Sequence, residues 1–142
     1  MGFLIDTNVL SEFRKKGRAN PGVTKWISSV NDEDIYISVL TIGEIRNGVE
    51  RLRKRDPYAS HQINLWLLRM ERELSDRILP ITREIADRWG HLGVPDPLPV
   101  VDALLAATAL EHNLILVTRN ESDVKRTHVR LINPFTEPDN VS

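Results

Sequence analysis

Residues 100–120, VVDALLAATALEHNLILVTRN, decide the fold class. Residues 100–110 are apolar at nearly every position, which is typical of a helix buried on several sides. We expect Asn113 to end this helix, and residues 114–117 to form a short buried strand. A buried helix next to a buried strand indicates a layered α/β domain.

Strand-like and helix-like segments alternate along the rest of the chain. Further strands are predicted at residues 2–5, 35–40, 77–81 and 129–132, and further helices at residues 9–13, 21–30, 41–56, 58–74 and 82–92. Such alternation predicts a three-layer α/β/α fold with a central parallel sheet of about four to five strands. No linker interrupts it, so we expect one domain over residues 1–142, with 135–142 as a flexible tail.

The composition and the N-terminal residues argue against several classes of protein and of binding site. The net charge of −1 argues against a protein that coats nucleic acid with its whole surface. The absence of cysteine excludes disulfides and thiolate metal sites, and it suits a reducing compartment. The N-terminal apolar stretch is interrupted by Asp6 and has no basic leader, so we expect neither a signal peptide nor a membrane span. These features together predict a cytoplasmic protein that does not bind a membrane.

Three acidic residues stand where segments of the predicted sheet end or begin. Asp6 follows the first strand, Glu44 lies in the first turn of the helix after the second strand, and Asp102 lies in the first turn of the buried helix. These positions share one edge of a parallel sheet, where ligands bind. Carboxylates without histidine or cysteine partners suit Mg²⁺ or Mn²⁺. Such a cation can activate water and clamp a phosphodiester.

Each acid also has a structural interpretation. Asp6 could cap the first helix, and Asp102 could complement the dipole of its helix. Thr41 and Glu44 match a capping box, with Thr41 as the N-cap residue. The apolar flanks of Asp6 and Asp102 favour a functional role, because burying an unpartnered acid is unfavourable. The four histidines lack the spacing of a zinc site, and the seven glycines form no phosphate-binding loop.

Four segments carry a resemblance to a known family. LIDTNVLSEF (4–13), SVLTIGEIRNGVE (38–50), VVDALLAATALEHNLILVTRN (100–120) and INPF (132–135) resemble the bacterial PIN-domain ribonucleases, and they look closest to the VapC and FitB-like toxins of type II toxin–antitoxin systems. The resemblance implies a PIN-like fold and a metal held by Asp6, Glu44 and Asp102. It also implies an RNA substrate, a cognate antitoxin and a homodimer.

One position departs from the family pattern. A fourth acid is often found two residues after the threonine that ends the fourth strand, where this chain has Asn120. Asp123 would lie nearby if a helix starts at Asn120, so either residue could complete the metal site, and one cation is favoured over two. We expect three residues to hydrogen-bond the carboxylates, although each is also an ordinary cap or turn residue: Thr7, Asn8 and Thr118.

Two basic groups are candidates for contacts with RNA phosphates. The first comprises Arg14, Lys15 and Lys16, and the second Arg51, Arg53, Lys54 and Arg55. Both could equally be solvated helix faces. Together these features predict a Mg²⁺- or Mn²⁺-dependent endoribonuclease, the toxin of a toxin–antitoxin pair, with Glu44 as the candidate general base. The alternative is a PIN-fold module that binds RNA or protein with little or no catalytic activity.

Overall fold

A five-stranded parallel sheet forms the centre of the molecule. The computed structural model describes residues 1–136, apart from the side chain of Lys16. The strands are β1 (Phe3–Ile5), β2 (Ile35–Ser38), β3 (Ile78–Leu79), β4 (Ile115–Val117) and β5 (Leu131–Ile132), in the order β3-β2-β1-β4-β5. Every neighbouring pair is parallel. The chain moves outward from β1 to β3 and then returns to the other side of β1, so the strand order reverses beside β1.

Helices connect these strands at the positions that the hydrophobic periodicity predicts. They are α1 (Thr7–Leu10), which continues as a 3₁₀ helix (Ser11–Arg18), α2 (Pro21–Ser28), α3 (Val39–Leu52), α4 (Pro57–Glu73), α5 (Arg83–Leu92), α6 (Val100–Glu111) and α7 (Glu121–Val124). Short 3₁₀ turns lie at Asp32–Asp34 and Lys125–Thr127. Within residues 1–136, no helix is long and apolar enough to cross a membrane.

The sheet separates two hydrophobic cores, because successive strand residues point to opposite faces. Ile5 and Ile37 face the core that α1, α2, α3 and α4 cover. Leu4 and Leu116 face the other core, where α6 contributes Leu105. Because α6 has the sheet on one side and α5 on another, it is apolar nearly all round. The three-layer α/β/α prediction is confirmed.

The start of α3 differs from the prediction. Ser38 is the N-cap residue, and its hydroxyl accepts a hydrogen bond from the backbone N–H of Leu40 at 3.0 Å. Val39 and Leu40 are therefore helical, although their apolar side chains continue the strand pattern. Thr41 lies inside the first turn, so the predicted capping box is wrong. Glu44 consequently lies in the second turn, not the first, and takes no part in capping.

The segment after β5 packs against the N-terminus of α2. The backbone N–H of Thr136 donates to Oδ1 of Asn20 at 2.8 Å, and Nδ2 of Asn20 donates to the carbonyl of Thr136 at 3.2 Å. A Cβ on Gly22 would overlap the carbonyl oxygen of Pro134, so glycine is required for this approach. Residues 135 and 136 are thus held in place, and the remainder of the predicted tail, 137–142, lies outside the described residues.

Candidate functional site

Asp6 lies at the carboxyl end of β1, where the strand order reverses and a crevice opens in sheets of this kind. It is 5% exposed. Its Oδ1 accepts the backbone N–H of Thr7 at 2.7 Å, and its Oδ2 accepts the hydroxyl of Thr118 at 2.6 Å. Burial raises the pKa of Asp6, although both hydrogen bonds act in the opposite direction. The residue is the N-cap of α1, so its capping role and its place in the site coexist.

Thr7 connects Asp6 to Glu44. Its backbone N–H binds Asp6, and its hydroxyl donates to Oε1 of Glu44 at 2.5 Å. Glu44 is exposed on α3, which follows the neighbouring strand β2. A single threonine therefore sets the relative position of two carboxylates that lie 38 residues apart in the sequence.

Asp102 lies in the first turn of α6, half-buried, and faces the same region. Its pKa is raised by burial and by the negative charges of Asp6, Asp123 and Glu44. A hydrogen bond from the side chain of Asn120 lowers the same pKa. Four acidic groups from four elements therefore act on one another at the carboxyl edge of the sheet.

The loop after β4 supplies the remaining polar groups. Thr118 is 1% exposed, and its hydroxyl accepts the backbone N–H of Asn120 at 3.1 Å while it donates to Asp6. Asn120 precedes α7, but its side chain makes no capping hydrogen bond. Asp123 lies in α7, half-buried. The structure thus brings both Asn120 and Asp123 to Asp102, where the sequence left a choice between them.

Asn8 differs from the other supporting residues. Its Oδ1 is buried and has no hydrogen-bond partner within residues 1–136. The hydrogen bonds of this region join Thr7 and Thr118 to the carboxylates, and the structure shows none from the Asn8 side chain to them. The predicted hydrogen bond from Asn8 to a carboxylate is therefore not found within residues 1–136.

The charges of the four acidic groups, Asp6, Glu44, Asp102 and Asp123, are not balanced by ion pairs within the described residues. In the part of the chain that the structure describes, no lysine, arginine or histidine forms an ion pair with any of them. Within the same residues, no three acidic or histidine side chains are gathered closely enough to form a ready-made metal cage. The donor set itself, carboxylates with one amide oxygen, suits a hard divalent cation.

The second predicted basic group does not adjoin these acids. Arg51 follows Glu44 by seven residues on α3, a rise of about 10 Å, and the other cations of that group lie further along. Arg53 pairs with Glu50 at 2.7 Å. In the first group, Arg14 is exposed and Lys15 pairs with Glu12. The side chain of Lys16 lies outside the described residues.

A basic residue that the sequence reasoning missed lies much closer. Arg119 is exposed and stands between Thr118 and Asn120. Its guanidinium carbon lies 4.6 Å from the centre of the Phe135 ring. Arg119 is a lone arginine between Thr118 and Asn120, so it belongs to neither of the predicted basic groups. The segment TRN, directly after a predicted strand, was the available signal.

Comparisons with known proteins agree with this architecture. Residues 3–128 match the PIN domain family. The chain is 29% identical to the toxin FitB of Neisseria gonorrhoeae, over 93% of this chain and 97% of that protein. It is 28% identical to the VapC ribonuclease Y4jK of Sinorhizobium fredii, over 93% and 96% of the two chains. A chain of a toxin–antitoxin complex from Klebsiella pneumoniae superimposes with a TM-score of 0.67 at 27% identity, covering 94% of this chain and 98% of that one. The chain therefore belongs to the PIN domain family.

Proposed function

We propose that this protein is a metal-dependent endoribonuclease and the toxin of a toxin–antitoxin pair. The observation that carries the proposal is the convergence of Asp6, Glu44 and Asp102, with Asp123, at the carboxyl edge of the sheet, where no cation within residues 1–136 forms an ion pair with them. The similarity to a protein named a VapC ribonuclease and to one named a toxin supports the same activity.

The cation would be Mg²⁺ or Mn²⁺, held by Asp6 and Asp102, with Glu44 bound directly or through water. Asn120 and Asp123 both influence the pKa of Asp102, which supports either of them as a further ligand. When bound, such a cation lowers the pKa of a water molecule and stabilises the negative charge that develops on the phosphodiester. Burial and the negative charges of Asp6, Asp123 and Glu44 raise the pKa of Asp102, and a divalent cation would balance those charges, so the acidic cluster supports cation binding.

The reaction would be hydrolysis by in-line attack of water on phosphorus. The bond from the water oxygen to phosphorus forms while the bond from phosphorus to the 3′ oxygen breaks, which leaves a 5′-phosphate and a 3′-hydroxyl. Glu44 is the candidate for taking the proton of the water, because it is the exposed carboxylate at the edge and is fixed by Thr7. The leaving 3′ oxygen takes a proton from solvent.

The test is an assay of purified protein with structured and single-stranded RNA, in Mg²⁺, Mn²⁺ or EDTA. We expect cleavage with either cation, none in EDTA, and loss of about 10³-fold or more in Asp6→Asn. Cleavage that survives chelation but is lost in Asp6→Asn would contradict the metal mechanism. Binding of RNA with no cleavage under any condition would identify the chain as a PIN-fold binding module instead.

The antitoxin partner has a suitable surface on the face that carries α4. A groove of about 580 Å³ lies between the first 3₁₀ helix, α2 and α4. Its apolar lining includes Leu10, Trp66 and Met70, and its charged lining residues are Arg14, Arg69, Arg77, Asp32 and Glu73. This chemistry fits an antitoxin segment with apolar anchors and acidic side chains. We expect the product of a short neighbouring reading frame to co-purify with the wild type and not with Arg69→Glu.

The homodimer would form through a second apolar surface. Trp89 is 38%, Val94 74% and Val100 58% exposed, and these residues lie on α5, the following loop and the first residue of α6. Exposed apolar patches of this kind mark contact surfaces. Val100 is two residues from Asp102, so a two-fold contact here would place the two acidic sites near each other and lengthen the surface for RNA.

A further inference from the structure

Arg119 occupies a distinctive place beside the acidic edge. The two residues that flank it act on two of the carboxylates: Thr118 donates to Asp6, and the side chain of Asn120 lowers the pKa of Asp102. Arg119 itself forms no ion pair with any acid in residues 1–136. The backbone of Arg119 thus lies at the acidic edge, and within residues 1–136 its charge is not neutralised by an ion pair.

The Phe135 ring holds the Arg119 side chain from one face, at 4.6 Å. Two hydrogen bonds fix the backbone that carries this ring. The backbone N–H of Phe135 donates to Oδ1 of Asn133 at 3.0 Å, and that of Thr136 donates to Oδ1 of Asn20. A guanidinium that lies over an aromatic ring keeps its in-plane N–H donors available. Those donors match the spacing of two phosphate oxygens.

Glu12, whose pKa the charge of Arg119 helps to lower, is already satisfied by other groups. Glu12 is buried, accepts the backbone N–H of Asn20 at 2.8 Å and pairs with Lys15. Arg119 acts on it only through space. The arginine consequently retains both its charge and its donors for a ligand from solution.

We propose that Arg119 binds a backbone phosphate of the RNA strand next to the bond that is cut, with Phe135 as the platform that orients the guanidinium. The inference rests on the proposed nuclease function and names how its site receives a polyanion. An acidic site repels RNA, so a cation that adjoins it offsets the repulsion where the strand must approach. The Arg51 to Arg55 group lies too far along α3 to serve this role and would contact phosphates further along the strand.

Binding is measured in the Asp6→Asn background, which does not turn over, with a fluorescent single-stranded RNA oligonucleotide, Mg²⁺ and a series of salt concentrations. Arg119→Gln should weaken binding about tenfold. It should also reduce the slope of log affinity against log salt by about 0.7, the value for one phosphate contact on a single strand. Arg72→Gln is the matched control, because α4 ends just before β3 and Arg72 lies at the opposite edge of the sheet.

Two further variants separate phosphate binding from a structural role. Phe135→Leu keeps the arginine but removes the ring that orients it. The RNA affinity of this variant should therefore lie between that of the Asp6→Asn protein and that of the protein that also carries Arg119→Gln. Arg119→Lys should keep the salt slope and recover part of the affinity, because it retains the charge but not the planar fork. Equal losses in the lysine and glutamine variants would overturn the proposal, as would a glutamine variant with unchanged affinity and slope. Failure of the Asp6→Asn protein to bind any RNA would instead count against the nuclease function.

Discussion

At the residue scale, Asp6 combines a structural and a chemical role. It caps α1, yet it is almost fully buried, and burial raises its pKa despite two hydrogen bonds. An acid whose native pKa lies above its ordinary value of 3.8 binds a proton more tightly in the folded state. Its ionisation therefore destabilises the fold as the pH rises through the native pKa, and this loss persists at neutral pH.

The first prediction concerns the stability of the protein when Asp6 can no longer ionise. Asp6→Asn removes the ionisation and keeps the shape, so its melting temperature at pH 7 should exceed that of the wild type, by roughly 3 °C for each kcal/mol gained. The difference should shrink as the pH falls towards 3.8. Adding about 10 mM Mg²⁺ should stabilise the wild type and not the variant. Asp32→Asn changes an exposed acid at the opposite edge of the sheet and is the control. An Asp6→Asn variant that melts below the wild type at pH 7 would contradict the prediction.

The second prediction concerns Asn120, the neutral residue among the acids. Asn120→Asp adds a carboxylate beside Asp102, which should tighten Mn²⁺ binding about tenfold. It should also lower the stability of the metal-free protein, because like charges are brought closer. Titration calorimetry and thermal melts measure the two effects. Asn31→Asp, far from the site at the start of β2, should change neither, and a weaker affinity in Asn120→Asp would show that the amide is the better ligand.

At the element scale, the start of α3 determines where Glu44 points. Ser38 is fully buried and caps the helix, whereas Thr41 is fully buried with a hydroxyl that has no partner within residues 1–136. The sequence favours Thr41 as the cap because it stands three residues before a glutamate. The structure favours Ser38 because β2 ends there and the chain must turn into the helix.

The third prediction compares the two positions. Ser38→Ala should lower the free energy of unfolding by about 1 kcal/mol, since the backbone N–H of Leu40 loses its acceptor. Thr41→Val should leave it unchanged or raise it by up to about 1 kcal/mol, since the buried hydroxyl makes no hydrogen bond in the structure. Urea denaturation measures both. The reverse order of stabilities would restore the capping box and move the start of the helix.

At the scale of the whole molecule, the two faces of the sheet bear different surfaces. The face covered by α4 carries the apolar groove, and the α5 side carries the patch around Trp89. The groove lies towards the edge opposite the acids, since Asp32, Leu74 and Arg77 line it, whereas Val100 is two residues from Asp102. The two surfaces therefore lie apart, as the proposal of an antitoxin and a second copy of the chain requires.

The fourth prediction tests the proposed dimer surface. Trp89→Glu should convert a dimer to a monomer in light scattering, because a charge in an apolar contact would be buried without a partner. Leu68→Glu, on the exposed face of α4, is a matched change and should leave the dimer intact. Dissociation by Leu68→Glu alone would place the interface on α4 instead.

The sequence by itself determined the classes of element and the acids at their ends. Hydrophobic periodicity is local, so it predicted the parallel sheet and most helices, and it placed Asp6 and Asp102 beside buried segments. The family resemblance of the flanks added Asn120 and Asp123 as candidates. The resemblance could not show that both of these residues influence the pKa of Asp102.

Only the tertiary structure decided how these groups meet. The hydroxyl of Thr118 reaches Asp6 across 112 residues of sequence, and Thr7 reaches Glu44 across 37. It also decided that Ser38 caps α3 and that Arg119 lies over Phe135. Contacts of this kind depend on the strand order β3-β2-β1-β4-β5, which sets β1 beside β4. They leave no periodic signal in the chain, because a single hydrogen bond or stacked ring fixes one pair of residues and imposes no repeat on their neighbours.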